Sequence, residues 1–533
     1  MLLPLIVTLL FVTLVNTVFQ LTQFDLAYRY WRSVWKKQKP TTRPIDREQL
    51  PAVTIQLPMF NESIIAPRIL EAVSRIDYPR DRLQIQILDD STDHSPEIIA
   101  RILEELRQSQ PELNIEYLHR TDRQGFKAGA LQAAMPLVTG EFIAIFDADF
   151  IPQPDFLTHL LPYFDSPEVA VVQSRWGHLN AHDSVLTQAQ QFFLDGHHSV
   201  EQNGRNRAGY FITFNGTAGI WRRSAMEAAG GWSADTLVED LDLSYRTQSL
   251  GYRIVYVEDY VTPGELPNSV SGLRVQLFRW FKGNAQVGLK ILGKVWQQPL
   301  PLSVKIHATA QLFAPFTMLS SLVMLLITGA LPLILHAAPE HADLVKLCYM
   351  GFVWVPAVLL VYGTPRIRFD EGPWYIRLAR LVPRTFVFMA MMTGLSCQSS
   401  IAVLEAVFKR ANQWVVTPKG FSQQSSKKKV RRKLAWYVWP DAFVILYLMA
   451  SIVIAWKFNF QALMVIEATW LVGYLWLFGG AVWEAYGTPA APSIVKTSQP
   501  ENATVEGRAL VEYGVNSEGR SESVTTAPAG ATL

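Results

Sequence analysis

The chain has 533 residues, 49% hydrophobic and 18% charged, with 48 Lys+Arg against 46 Asp+Glu and two cysteines. That length allows two or three domains, and a formal charge of +2 lacks the basic excess that nucleic-acid binding requires, so no nucleic-acid partner is expected. Cys348 and Cys397 cannot build a disulfide scaffold or a Cys-rich zinc site, and a charged share below the usual quarter points to segments where charge is missing.

The first such segment is N-terminal. Residues 1 to about 22 carry no charge, and Arg29, Arg32, Lys36, Lys37, Lys39 and Arg43 follow. A secretory signal has the opposite order, so residues 1–24 are expected to form an uncleaved membrane anchor with its basic flank in the cytosol.

Between 45 and 150, the short apolar runs Ala52–Leu57, Leu83–Leu88, Ile115–Leu118 and Phe142–Phe146 alternate with amphipathic stretches near 65–75, 96–108 and 126–136. This alternation predicts an α/β domain over 45–265, a parallel sheet with crossover helices. Such sheets bind ligands beyond the carboxyl ends of their strands. The residues found there are Pro58 to Glu62, Asp89-Asp90 and Asp147-Ala148-Asp149. Acidic residues also serve turns and helix caps, and Asp93 before Ser95-Pro96-Glu97 reads as a helix start. Asp147 and Asp149 are suited to a divalent ion, Mg²⁺ or Mn²⁺, held beside a phosphate. Lys127, where the third crossover helix begins, suits an anionic phosphate or a solvated surface equally.

Further along stand Asn215-Gly216-Thr217-Ala218-Gly219, Val238-Glu239-Asp240-Leu241-Asp242 and Gln276-Leu-Phe-Arg279-Trp280. With Asp89/Asp90 and Asp147-Ala-Asp149, these form an ordered set that resembles the family 2 glycosyltransferases of the cellulose-synthase-like kind. The wording around Asn215 and Glu239 is closest to the mannan/glucomannan and xyloglucan-backbone synthase branches. Val238 stands where cellulose synthases carry Thr, and Trp414 where they carry Phe. The resemblance implies a GT-A fold, nucleotide-sugar-binding and Rossmann-like, with a GDP-mannose or UDP-glucose donor, a divalent metal and inversion at the anomeric carbon. By the same resemblance Asp89 and Asp90 would hold the nucleoside, and Asp147 and Asp149 the metal and diphosphate, with Lys127 beside them. Asp240, with Glu239, would be the catalytic base. Glu62, Gly216, Thr217, Gln276, Arg279 and Trp280 would contact donor or acceptor.

After interfacial helices over 266–300, His307–Ala338 and Leu347–Pro365 are charge-free and long enough to cross the ~30 Å hydrocarbon core. Within 380–408, Thr385–Leu404 has spanning length too, but both flanks are basic and Ser396, Gln398, Ser399 and Ser400 interrupt the apolar run, so an interfacial or re-entrant helix is expected over 380–408. Gln413 to Lys419 resembles the gating loop of processive family members, with Thr417 and Lys419 near the nucleotide. Two more spans are expected within 435–485, behind the basic run Lys427 to Lys433, and a disordered cytosolic tail over 487–533. The whole reads as a cytosolic enzyme on an all-α bundle of about five membrane helices. The expected activity is extension of a β-linked polysaccharide, with translocation. The alternatives are transfer of one hexose to a membrane lipid and, more remotely, a non-catalytic scaffold or transporter. Expected partners are a nucleotide sugar, a growing glycan or lipid acceptor, and the bilayer; the sequence names no partner subunit. A bacterial plasma membrane is favoured, or the Golgi in a eukaryote.

Overall fold

A strand covered on both faces must pair any polar side chain it carries, and in two inner strands Thr54 donates to Gln84 at 2.7 Å and Gln56 to Gln86 at 3.1 Å. The computed structural model describes residues 2–341, 354–410, 434–487, 513–515 and 521–523. In it β1 (Val53–Met59) and β2 (Leu83–Asp89) are buried at every position. With β3 (Asn114–His119) and β4 (Phe142–Ile145) they form the parallel half of a seven-stranded sheet. The crossover helices α1 (Ala66–Ser74), α2 (Ser95–Ser109) and α3 (Phe126–Ala134) fall where the amphipathic stretches are. Asp93 opens α2 as expected, its carboxylate accepting from the Ser95 amide at 2.9 Å.

The other half departs from an all-parallel sheet. β5 (Val169–His178), β6 (Gly219–Arg222) and β7 (Arg253–Gly264) complete the order β3-β2-β1-β4-β6-β5-β7, with β6 antiparallel to both β4 and β5. A Cβ on Gly219 would meet the Phe214 ring at 2.7 Å and the Val172 carbonyl at 3.0 Å, so β6 begins on a residue that lets it enter between two neighbours. Two apolar layers sandwich the sheet. Ile69, Leu70, Ile99 and Phe156 pack on one face, and Leu131, Trp221, Met226 and Leu243 on the other. Each such side chain contributes about 1.5–3 kcal/mol when fully buried.

Beyond the sheet the chain is helical. A 34-residue helix, Leu2–Trp35, precedes it, and Val270–Gln297 is a single 28-residue helix following it. His307–Ala338 is divided at Ala314-Pro315 into Leu302–Phe313 and Phe316–Ala337, because proline cannot donate within a helix. Among the described residues five helices are long and apolar enough to cross a membrane: Val7–Trp35, Phe316–Ala337, Trp374–Val407, Trp436–Lys457 and Gln461–Tyr486. This set is not the sequence-derived one. It contains the whole of 385–404, within an unbroken 34-residue helix. Of Leu347–Pro365, residues 347–353 lie outside the described residues, and the rest belongs to the helix Trp354–Phe369. The expected gating-loop residues Thr417 and Lys419, the basic run and most of the tail also lie outside them.

Residues Met1–Thr488 form one unit and Pro489–Leu533 a second. Within the second, Tyr513–Val515 pairs antiparallel with Ser521–Ser523.

Candidate active site

The parallel strands deliver their carboxyl-terminal residues to one edge of the sheet. Two cavities open there. The smaller, about 180 Å³, is lined by Phe60, Glu62, Asp90, Arg123, Lys127, Asp147, Asp149, Asn215, Gly216, Glu239, Asp240, Glu265, Gln276, Arg279 and Trp280 among others. Loops and helices from both sides of the sheet thus bring together residues more than 200 positions apart.

Lys127 is the hub. Its ammonium donates to Asp147 Oδ1 at 2.5 Å and to the Gly216 carbonyl at 2.9 Å, and stands 3.9 Å from Glu239. Burial works to depress its pKa, but Asp147, Glu239 and Asp240 outweigh that and hold the group charged, above the ordinary lysine value. Gly216 makes this possible. It sits at φ +81, and a Cβ there would come within 2.9 Å of Asp240 Oδ2 and 3.5 Å of Lys127 Nζ. A side chain would be strained at that φ and would separate the two charges.

Glu239 and Asp240 begin the helix Glu239–Ser249. A helix N-terminus favours the carboxylate form, and Asp240 Oδ1 accepts from the Leu241 amide at 2.8 Å. Burial and the neighbouring Glu239 charge prevail over this and raise the Asp240 pKa to about 7. Glu239 is raised as well, chiefly by burial. Such a carboxyl is poised to exchange a proton near neutral pH.

Gln276, Arg279 and Trp280 share one face of the helix Val270–Gln297, being three and four residues apart. That helix is anchored at three points. Glu484 accepts from the Val270 and Ser271 amides at 2.6 and 2.9 Å, capping its N-terminus. Arg274, buried, donates to Asp441 at 2.6 Å and to Gln398 at 3.0 Å. Lys282 reaches Glu405 at 3.0 Å. Burial lowers the Arg279 pKa, against Glu239, Asp147, Asp240 and Asp149, which sustain its charge.

Two expected contact residues stand behind the pocket instead of lining it. Asp89 is fully buried, accepting from the Tyr117 hydroxyl at 2.7 Å and the Ser91 amide at 2.9 Å. Thr217, also fully buried, accepts from the Asp147 amide at 2.9 Å and so fixes the acidic turn. Asp90 does line the pocket, with both oxygens on Arg120 at 2.6 and 2.8 Å.

Asp147 and Asp149 meet the requirements of a divalent cation that completes its shell with diphosphate oxygens and water. Mg²⁺-type sites commonly use one or two carboxylates with substrate phosphates. Among the described residues no group of three or more His, Cys, Asp or Glu forms an all-protein cage. Two carboxylates at one strand end are a donor set that fits a divalent cation sharing diphosphate oxygens.

Several lining residues were missed from sequence. Arg123 lies 3.2 Å over the Phe60 ring, forming a cationic, flat wall beside Asp90. Trp176 and His178 are among the last three residues of β5, and Glu265 directly follows β7. The strand-end rule would have found them had those strands been recognised, but their apolar runs are broken by Gln, Ser, Glu and Asp. Asn215 was visible as part of the glycine-rich motif and was not taken as a site residue.

The larger cavity, about 1250 Å³, meets the smaller one at Trp176, Leu194, Asn215, Val238, Asp240 and Trp280. From there it extends between Leu2–Trp35, Phe316–Ala337, Trp374–Val407 and Gln461–Val482, lined mainly by apolar and aromatic side chains.

Residues 51–283 match the family described as Glycosyltransferase like family 2. The chain is 35% identical over 401 residues to glucomannan 4-beta-mannosyltransferase 1 of Oryza sativa subsp. japonica, covering 73% of this chain and 74% of that protein. It is 32% identical over 430 residues to glucomannan 4-beta-mannosyltransferase 2 of Arabidopsis thaliana, covering 77% of each. Among solved structures, a mannosyltransferase of Pyrobaculum calidifontis, in complex with GDP-Man and Mn²⁺, aligns at a TM-score of 0.50 and 20% identity, covering 75% of this chain and 100% of that one.

Proposed function

This chain belongs to the family 2 glycosyltransferases of the cellulose-synthase-like kind, and from that premise we propose that it extends a β-linked mannan or glucomannan from GDP-mannose, processively, and passes the product through its membrane helices. It is a hexosyltransferase of polysaccharide synthesis. The choice of GDP-mannose is supported by the likeness to the glucomannan mannosyltransferases, and processivity and passage rest on one observation: the charged pocket and the long apolar cavity meet at Asp240 and Trp280.

In this mechanism the nucleoside lies against Phe60, Arg123 and Asp90, and the diphosphate lies between Lys127, Arg279 and the Asp147-Asp149 turn. A cation held by Asp147 and Asp149, Mg²⁺ or Mn²⁺, would stabilise the charge of the departing nucleoside diphosphate. Lys127 and Arg279 supply fixed positive charge to the same leaving group. The end of the acceptor glycan stacks on Trp280, and its free hydroxyl meets Asp240. As the new C–O bond forms at the anomeric carbon and the bond to the diphosphate breaks, Asp240 takes the hydroxyl proton. One displacement inverts the anomeric centre. The lengthened chain then moves into the apolar cavity, and the pocket is free for the next donor. Asp89 and Thr217 act as positioning residues, holding the acidic strand ends. The catalytic domain is assigned to the cytosolic face, where nucleotide sugars are made and where the basic flank at Arg29 to Arg43 belongs.

The testing experiment is a panel of labelled nucleotide sugars offered to membranes containing the protein. GDP-mannose should be consumed fastest. Equal or faster use of UDP-glucose would move the assignment to a glucan backbone.

A further inference from the structure

Glu265 lies in the charged pocket and takes no part in the mechanism above. It is 6% exposed, a degree of burial that a glutamate rarely reaches unless it is paired. Arg68, in α1, supplies the pairing. Its Nη2 donates to Glu265 Oε2 at 3.2 Å and to the Asp149 carbonyl at 3.4 Å. Among the described residues Glu265 Oε1 takes no hydrogen bond from the protein, and it is not one of the sealed, unpaired polar atoms.

The backbone fixes this carboxylate beside the acidic turn. The Ile151 amide donates to the Pro263 carbonyl at 2.9 Å, and a Cβ on Gly264 would meet the Phe150 ring at 2.7 Å. Just beyond, the Asn180 side chain exchanges two hydrogen bonds of 2.8 Å with the Leu266 backbone. Glu265 is thus held from both sides, directly after β7.

Two ordinary roles fall short. A third ligand for the cation would need Glu265 grouped with Asp147 and Asp149, and among the described residues no group of three such side chains forms. A brace for Arg68 uses Oε2 and leaves Oε1 unused.

Sheet order indicates what meets Oε1. The nucleoside wall of Phe60, Asp90 and Arg123 stands beyond β1, β2 and β3, and the Asp147-Asp149 turn beyond β4. Glu265 follows β7, on the other side of β4. A donor laid along this edge with its diphosphate at β4 brings its hexose toward β5 and β7. An ionised carboxylate only accepts hydrogen bonds, and it binds a hydroxyl more strongly than a neutral amide does.

We propose that Glu265 accepts a hydrogen bond from a ring hydroxyl of the donor hexose and so contributes to the choice of sugar, with Arg68 as the positioning residue that holds it. This rests on the nucleotide-sugar reading above and gives the hexose a contact there.

The test uses the full chain in membranes, comparing wild type with Glu265→Gln, whose amide oxygen can still accept from Arg68. Two constants are read: kcat/KM for GDP-mannose, and the inhibition constant of GDP, which has no hexose. The first should fall about tenfold, the difference between a charged and a neutral acceptor, while the second stays unchanged. Equal weakening of both would overturn the proposal, since it marks damage to the acidic turn or its cation. An unchanged kcat/KM would overturn it too. A further arm offers GDP-mannose analogues that each lack one ring hydroxyl. Glu265→Gln should lose the wild type's discrimination against one of them, and discrimination kept against all would contradict the proposal. A wild type that prefers UDP-glucose would remove the mannosyl reading alone, and the same pair of constants for UDP-glucose and UDP then decides Glu265.

Discussion

The two cavities that meet at Asp240 are built from opposite materials. The smaller concentrates acidic and basic side chains, among them Glu62, Asp90, Lys127, Asp147, Asp149, Glu239, Asp240 and Arg279, and its geometry is fixed by short contacts such as Lys127 to Asp147 at 2.5 Å. In the larger, the acidic or basic lining residues among those described are His197, His198, Glu201, Arg205 and Asp240, and the rest of the wall is aliphatic, aromatic and neutral polar. The difference follows from what each must do. A donor with a diphosphate leaving group is recognised and activated by charge held in place before it arrives. A neutral glycan that must move on is better served by stacking faces and amides, which bind without fixing one position. Asp240 belongs to both, and this is the reason for assigning it the proton transfer.

That contrast can be broken at its junction first. Asp240→Asn should lower transfer by roughly 10²–10⁴-fold, the usual contribution of a general base, while nucleotide affinity, measured by calorimetry, changes little. Survival of transfer would remove Asp240 from the mechanism. On the charged side, Asp147→Ala or chelation of divalent ions should remove several kcal/mol of leaving-group stabilisation, roughly a hundredfold or more in rate. Sugar transfer that persists in chelator would show that Lys127 and Arg279 suffice alone.

The pH profile gives a more graded test. Asp240 acts as base in its carboxylate form, and its pKa is raised to about 7. The kcat/KM should therefore be level above that pH and fall about tenfold per unit below it, and Asp240→Asn should abolish this limb in the residual rate. A profile flat from pH 5 to about 8 would contradict a protonatable base at this position. Smaller still is Gly216→Ala. With φ +81 and a Cβ at 2.9 Å from Asp240 Oδ2, it should cost on the order of 1 kcal/mol in stability and displace the base. Loss of kcat with KM nearly unchanged is the expected signature.

The helix carrying Gln276, Arg279 and Trp280 can be tested separately. Breaking its buried Arg274–Asp441 pair by Asp441→Leu alone should destabilise by about 3–5 kcal/mol, whereas Arg274→Met/Asp441→Leu should recover most of that. Equal destabilisation in the single and double variants would mean that the pair itself holds the helix.

Much of this was legible in the sequence, and the pattern of hits and misses has physical causes. The first four strands were readable as short runs rich in Ile, Leu, Val or Phe set between amphipathic stretches, β1, β2 and β4 being buried at every position and β3 lying at the sheet edge. β5 to β7 were not, since β6 is only four residues long and β7 carries Glu258 and Asp259 in its middle. The acidic pairs at Asp89-Asp90 and Asp147-Asp149 looked alike in sequence. Only tertiary contact separates them: Asp89 is enclosed by Tyr117 and Ser91, while Asp149 lines the pocket. The Lys127–Gly216–Asp240 arrangement was beyond reach, because it brings a loop glycine and the first turns of two helices together from distant parts of the sequence. Nor could hydropathy separate an anchor from a cavity wall, since Leu2–Trp35 is both apolar outward and polar inward.

The central claim is that donor chemistry at the charged pocket feeds a chain into the apolar cavity. It is tested most directly by supplying labelled GDP-mannose to membranes containing the protein and sizing the product. A long, water-insoluble or gel-excluded glycan, absent with Asp240→Asn, is the expected result. A single labelled hexose on a solvent-extractable lipid would contradict it.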